Sequence, residues 1–164
     1  MSNLMIFAIK DNLKYDQSVL LSKKIISYCL NKNLGAIFNF LGYCDELIDQ
    51  LGATMYFSIS DDFIQLNSEY LSTSNINHIK QDSGKQKFID KFSFLNEICD
   101  ILCNFGLTKI CVLISPDGGV HSIDDLKAVD KNTELLTDVL YQGILESHDK
   151  YAYDFPNMII NISQ

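Results

Sequence analysis

Three groups of residues have types and spacings that could support chemistry. The first is Ser115-Pro116-Asp117-Gly118-Gly119-Val120-His121-Ser122, between an apolar run and a polar stretch. Glycines ahead of a helix can present backbone N–H groups to an anion, with His121 assisting; the structural alternative is a strand-to-helix connection that needs permissive glycines. The second is Cys99, Cys103 and Cys111, a soft-metal set if they converged. No Cys-x-x-Cys pair and no histidine at ligand spacing accompanies them, and cysteines on or beside an apolar stripe behave as small hydrophobes. The third is the acid pairs Asp61-Asp62 and Asp124-Asp125, capable of acid/base or magnesium work. One reads as a turn and the other as the first turn of a helix. His78, His121 and His148 fall in separate polar stretches, and no Gly-x-Ser-x-Gly, Walker or dinucleotide fingerprint occurs. The residues therefore predict a protein that is not an enzyme and has no cofactor or metal.

The elements that must position these residues follow from periodicity. Leu4 to Ile9 is a short apolar run, expected as a strand buried on both faces. A helix is expected from near Asp16 or Ser18, either of which can cap it, with Leu21, Ile25, Cys29, Ile26 and Leu30 as its stripe and Asn31 to Asn33 and Gly35 ending it. Ala36 to Phe40 is ambiguous between strand and helix, and Cys44 to Leu51 reads as helical, stopping at Gly52. Thr54 to Ser60 alternates, with Met55, Phe57 and Ile59 on one face, and Phe63 to Leu66 is expected to return as a hairpin. Ser68 to Gln86 reads as the longest loop. Phe88, Phe92, Leu95, Cys99 and Leu102 then predict a helix from about Gln86 to Phe105, ending at Gly106, with Asn96 and Asp100 on its silent polar face. Lys109 to Ile114 is a second buried strand. Ser122 and Asp125 resemble a cap for a short helix to Val129, and Asn132 or Thr133 opens a longer one carrying Leu136, Val139, Leu140 and Ile144. Asn157 to Ile162 closes as a strand.

With 164 residues, 47% of them apolar, the chain can bury a proper core. The expectation is a single globular domain over 1–164, α/β or α+β, with a mixed sheet of five or six strands covered by three or four helices. The N-terminus lacks the basic lead-in and cleavage site of a secretory signal, and no apolar run reaches the ~18 residues needed to span a bilayer. A cytosolic protein without membrane contact is expected. The five cysteines, odd in number and set mostly in apolar segments, are expected to be free thiols.

Charge narrows the function further. Twenty-one acids face thirteen bases, for a net of −8, and every base is a lysine. Arginine is the usual side chain for bidentate phosphate contact, so this balance argues against nucleic-acid binding. Between Asp117 and Asp154 lie nine acids and three lysines, which places most of the imbalance in one segment. Such a segment is either a solvated acidic surface or a landing patch for a basic partner.

Two resemblances bear on these residues. Gly118-Gly119-Val120-His121-Ser122 resembles a segment of cofactor-independent phosphoglycerate mutases in which the matching histidine contacts the phosphorylated substrate. The likeness covers under a dozen residues and implies a similar turn; that family's metal-bound serine nucleophile and Asp/His ligands are not placed in this chain. By overall profile, small, acidic, without catalytic signature and with one-sided charge, the chain resembles the bacterial immunity proteins of toxin systems such as contact-dependent growth inhibition. That resemblance implies a cognate, basic toxin domain as partner, inhibited by occlusion of its active site or substrate approach. It implies Asp117, His121, Asp124, Asp125 and Asp130 as the partner-binding residues. The rival expectation is an enzyme or small-molecule binder using residues 115–122 for an anionic ligand. Oligomeric state is not legible at this level.

Overall fold

The structure is a computed structural model that describes residues 5–34, 36–40, 52, 54–59, 80–114, 126–147 and 158–163. Their fold is α+β. Six strands, β1 (Met5–Ile9), β2 (Ala36–Phe40), β3 (Met55–Ile59), β4 (Lys109–Ile114), β5 (Leu126–Asp130) and β6 (Met158–Ser163), form one sheet in the order β2-β3-β1-β4-β6-β5. All neighbours are antiparallel except β5 and β6, which run parallel and are connected through a helix, as a parallel pair requires. Four helices are described: α1 (Tyr15–Asn31), α2 (Asp82–Phe92), α3 (Phe94–Asn104) and α4 (Leu136–Ser147).

The sheet is mixed and its centre is apolar on both sides. Phe7, Ile9, Phe57, Ile59, Ile110, Val112, Val129 and Ile162 share one core with Leu21 and Ile25 of α1, Phe88 and Phe92 of α2, Leu95, Ile98 and Leu102 of α3, and Leu140 of α4. Phe7 and Phe57 are register partners, and their rings stack at 4.9 Å. Ile6, Ala8, Tyr56, Ser58, Cys111 and Leu113 alternate with the core-facing residues and are buried as well. The continuous run of β1 is thus buried on both faces, as its composition predicts. The strand β3 departs from its alternating pattern, because all five of its residues are buried between β1 and β2. The expected hairpin partner, Phe63 to Leu66, and the expected helix from Cys44 to Leu51 lie outside the described residues, as does the long loop up to residue 79.

Several local expectations are corrected. Neither Asp16 nor Ser18 caps α1. Lys14 holds the N-cap position, its N–H donating to Gln17 Oε1 at 3.1 Å, and the Ser18 hydroxyl donates to the Lys14 carbonyl. Leu21, Ile25 and Cys29 are buried, but Ile26 and Leu30 are exposed, so the apolar stripe of α1 is narrower than its sequence suggests. The helix expected from Gln86 to Phe105 starts at Asp82 and is divided at Ser93, whose hydroxyl donates to the Asp90 carbonyl. Such back-bonding competes with the regular helical ladder. All five residues of its expected stripe are buried. The short helix expected to reach Val129 is absent over Leu126–Asp130, which is strand β5 instead. Five residues are too few to sustain a helix alone, whereas β6 offers a ladder in which Leu126 pairs with Ile159 and Val129 with Ile162.

The two helices that precede buried leucines end alike. Asn33, at φ +57, and Gly106, at φ +100, take the left-handed conformation past α1 and α3. In each case the next N–H, that of Leu34 or Leu107, reaches back to Cys29 or Leu102, at 2.7 and 3.2 Å. This is the Schellman arrangement, completed by burial of both leucines. Asp11, just past β1, joins the start of β4: its carboxylate accepts from the N–H groups of Thr108 and Lys109 and from the Thr108 hydroxyl.

Candidate functional site

Of the residues expected to contact a partner, Asp117, His121, Asp124 and Asp125 lie outside the described residues, as does the whole 115–122 string. Asp130 is described and exposed at the end of β5. Its carboxylate shapes the chain: Oδ1 accepts from the Asn132 N–H at 2.9 Å, while its carbonyl accepts from the N–H groups of Thr133 and Glu134. This Asx-type turn consumes the residues expected to open the next helix, so α4 starts at Leu136 rather than at Asn132 or Thr133. Glu134 closes the turn by accepting from the Asp130 N–H. Within α4, Leu136, Val139 and Leu140 are buried as expected, while the side chain of Ile144 lies outside the described set.

The turn sits against α3. Asn96 donates through Nδ2 to Thr137 Oγ1 at 3.0 Å and accepts at Oδ1 from the Thr137 N–H at 3.3 Å. Thr137 is fully buried, in the first turn of α4, so Asn96 acts as a cap supplied from another helix. The expectation that Asn96 is silent is therefore corrected. One turn further along α3, Asp100 meets Lys131 at 2.8 Å. That hydrogen bond raises the Lys131 ammonium above its ordinary value and keeps it charged. On the other side of α3, Glu97 accepts from the Tyr28 hydroxyl of α1 and lies 3.8 Å from Lys32. Burial, and then the Glu97 carboxylate, push the Tyr28 phenol upward.

The result is an exposed acidic surface on α3 and the β5–α4 junction. Asp100, Asp130, Glu134 and Asp138 are all exposed, and Lys131 is the one base amid them among the described residues. Leu135 is 54% exposed. Beneath it lies a recess of about 60 Å³ between Asn96, Cys99, Asp100, Lys131, Glu134 and Leu135.

The remaining expectations for reactive groups are readily placed. Cys29, Cys99, Cys103 and Cys111 are free, and among the described residues no cluster of metal-ligating side chains occurs. Burial raises the thiols of Cys29, Cys99 and Cys111, which favours the protonated, unreactive form. Cys44 lies outside the described residues. Among the described residues, no helix is long and apolar enough to cross a membrane. Sequence reasoning missed Asn96, Asp100 and Leu135 because nothing local marks them: their places depend on how α3 packs against the start of α4.

The class defined here is an α+β fold with an acidic, locally apolar helical surface. Comparison with known protein families, curated proteins and solved structures finds no match for this chain.

Proposed function

We propose that this protein is a cytosolic binding inhibitor, an immunity protein that neutralises a basic toxin domain by covering its active site or substrate approach. The observation that supports the reading is the exposure of Asp100, Asp130, Glu134 and Asp138 together with that of Leu135, which lines one recess with Asp100 and Glu134. Carboxylates on a firm turn can accept charge-assisted hydrogen bonds from lysine or arginine, and a central apolar side chain offers an anchor from which water is excluded. Like-signed charge also steers a basic partner into encounter. Asp117, His121, Asp124 and Asp125, in the same acidic segment, extend the proposed contact set.

The test is co-expression or pull-down with the product of the adjacent gene, followed by binding kinetics at increasing salt. Association should slow as screening grows. Reversal of Asp124 and Asp125 to Lys should weaken binding at least about tenfold, roughly 1.4 kcal/mol. Reversal of Asp45 and Glu46, in the other acidic stretch, should be nearly silent. Binding that ignores salt and the first reversal, yet collapses with the second, would place the interface elsewhere.

A further inference from the structure

The exposed large apolar side chains among the described residues are confined to two places. Tyr15, Leu20, Ile26 and Leu30 lie on the outer side of α1, and Leu135 lies amid the acidic surface. The same helix also carries exposed lysines. Between α1 and α3 runs an open trough of about 660 Å³, lined by Lys23, Lys24 and Tyr28 from one helix and Ile101, Asn104 and Phe105 from the other. No carboxylate lines it, and Lys24 is held with its ammonium 5.7 Å from the centre of the Phe105 ring. The second place is the reverse: Leu135 lines a recess with Asp100 and Glu134, and Asp130 and Asp138, close to it in sequence, are exposed. One chain thus carries an apolar surface edged with lysine and an apolar side chain edged with carboxylates.

Their arrangement matters as much as their charge. Consecutive residues of α3 face opposite neighbours, Asn96 bonding to α4 and Glu97 to α1. The helix α3 therefore separates the basic trough from the acidic surface, and the two lie side by side on one helical layer. Adjacent patches of opposite sign are complementary to themselves under a two-fold rotation, because each patch of one copy meets the other patch of its mate.

We propose that the α1–α3 trough is the docking surface for the acidic, Leu135-centred surface of a second copy, in a symmetric dimer with two equivalent contacts. Each contact sets Lys23 and Lys24 of one chain against Asp100 and Asp138 of the other, with Ile101 and Phe105 of the trough and Leu135 of the mate supplying the dry centre. The inference does not depend on the inhibitor reading, but it bears on it: dimerisation and capture of a basic partner compete for the same carboxylates.

Sedimentation of the purified full chain tests the proposal without any partner. The wild type should be a concentration-dependent dimer that dissociates as salt rises from about 50 to about 500 mM, where the screening length shrinks several-fold. Lys23→Glu with Lys24→Glu should raise the dimer dissociation constant at least about tenfold, as should Asp100→Lys with Asp138→Lys. An equimolar mixture of the two double variants should dimerise again, because one contact of the mixed pair keeps its native signs and the other has both signs exchanged. Leu135→Ser, at an exposed position where folding is not at issue, should weaken the dimer without changing its salt dependence. A wild type that stays monomeric at high concentration would overturn the proposal. So would a dimer indifferent to both reversals, or double variants that stay apart on mixing. Binding of the trough to an acidic partner instead would show as a monomeric wild type with an acid-dependent pull-down lost in the Lys23/Lys24 variant.

Discussion

Asn96 and Thr137 bond to each other twice across the gap between α3 and α4, and one of those bonds satisfies a backbone N–H in the first turn of α4. Removing the amide leaves a buried hydroxyl and a helix-terminal N–H without their partner. Asn96→Ala should therefore cost about 1–2 kcal/mol, the range for loss of a cap, as read from denaturant unfolding. Asp100→Ala, which breaks an ion pair whose carboxylate is largely exposed, should cost about 0–1 kcal/mol. Equal losses would mean that Asn96 caps nothing.

The inward side of α3 should dominate stability. Leu95 and Leu102 are fully buried, so each change to Ala should cost about 2–5 kcal/mol through lost burial and the cavity left behind. Unfolding midpoints in urea with unchanged slopes would measure it. A loss below about 1 kcal/mol at both sites would contradict the packing of α3 against the sheet.

The two left-handed helix ends should respond differently to substitution. No atom lies within 4 Å of a side-chain carbon added at Gly106, so Gly106→Ala isolates the backbone cost, about 1–2 kcal/mol. Asn33→Gly removes a milder strain and should be neutral or slightly stabilising, because Asn already tolerates this conformation. Thermal unfolding of both variants checks the pair. A neutral Gly106→Ala would show that the chain ends α3 in another way in solution.

Buried thiols make stability depend on alkaline pH. Burial pushes the Cys29 thiol from the usual 9.0 to about 11, so the folded chain keeps a proton that the unfolded chain releases. The contribution is complete below about 9 and is lost as pH rises through about 11, since stability falls wherever the folded state binds more protons. Cys99, Cys111 and Tyr28 shift in the same direction. Unfolding free energy should therefore fall between about pH 9 and about pH 11, and Cys29→Ala should flatten part of that slope. An identical slope in the variant would remove Cys29 from the account. In the same protein, alkylation without reduction should find no bridge among Cys29, Cys99, Cys103 and Cys111, with half-buried Cys103 the first of the four to react.

What the chain determined by itself was whatever depends on near neighbours. The unbroken apolar run at β1 and the three- and four-residue spacing from Phe88 to Leu102 each encode which side is buried, because a helix or strand repeats within a few residues. Gly106 marked the end of α3 for the same reason. Tertiary structure decided the rest. Leu126–Asp130 is a strand because β6, thirty residues on, offers a ladder that its own length cannot supply as a helix. The helix α4 opens at Leu136 because Asp130 spends its carboxylate on the preceding turn and Asn96 arrives from α3 to cap it. The acidic segment was legible as composition, but composition carries no direction. Only packing brought Asp100 of α3 beside Glu134 and Leu135, since contacts between distant segments, and not spacing, choose which of a chain's charges share a surface.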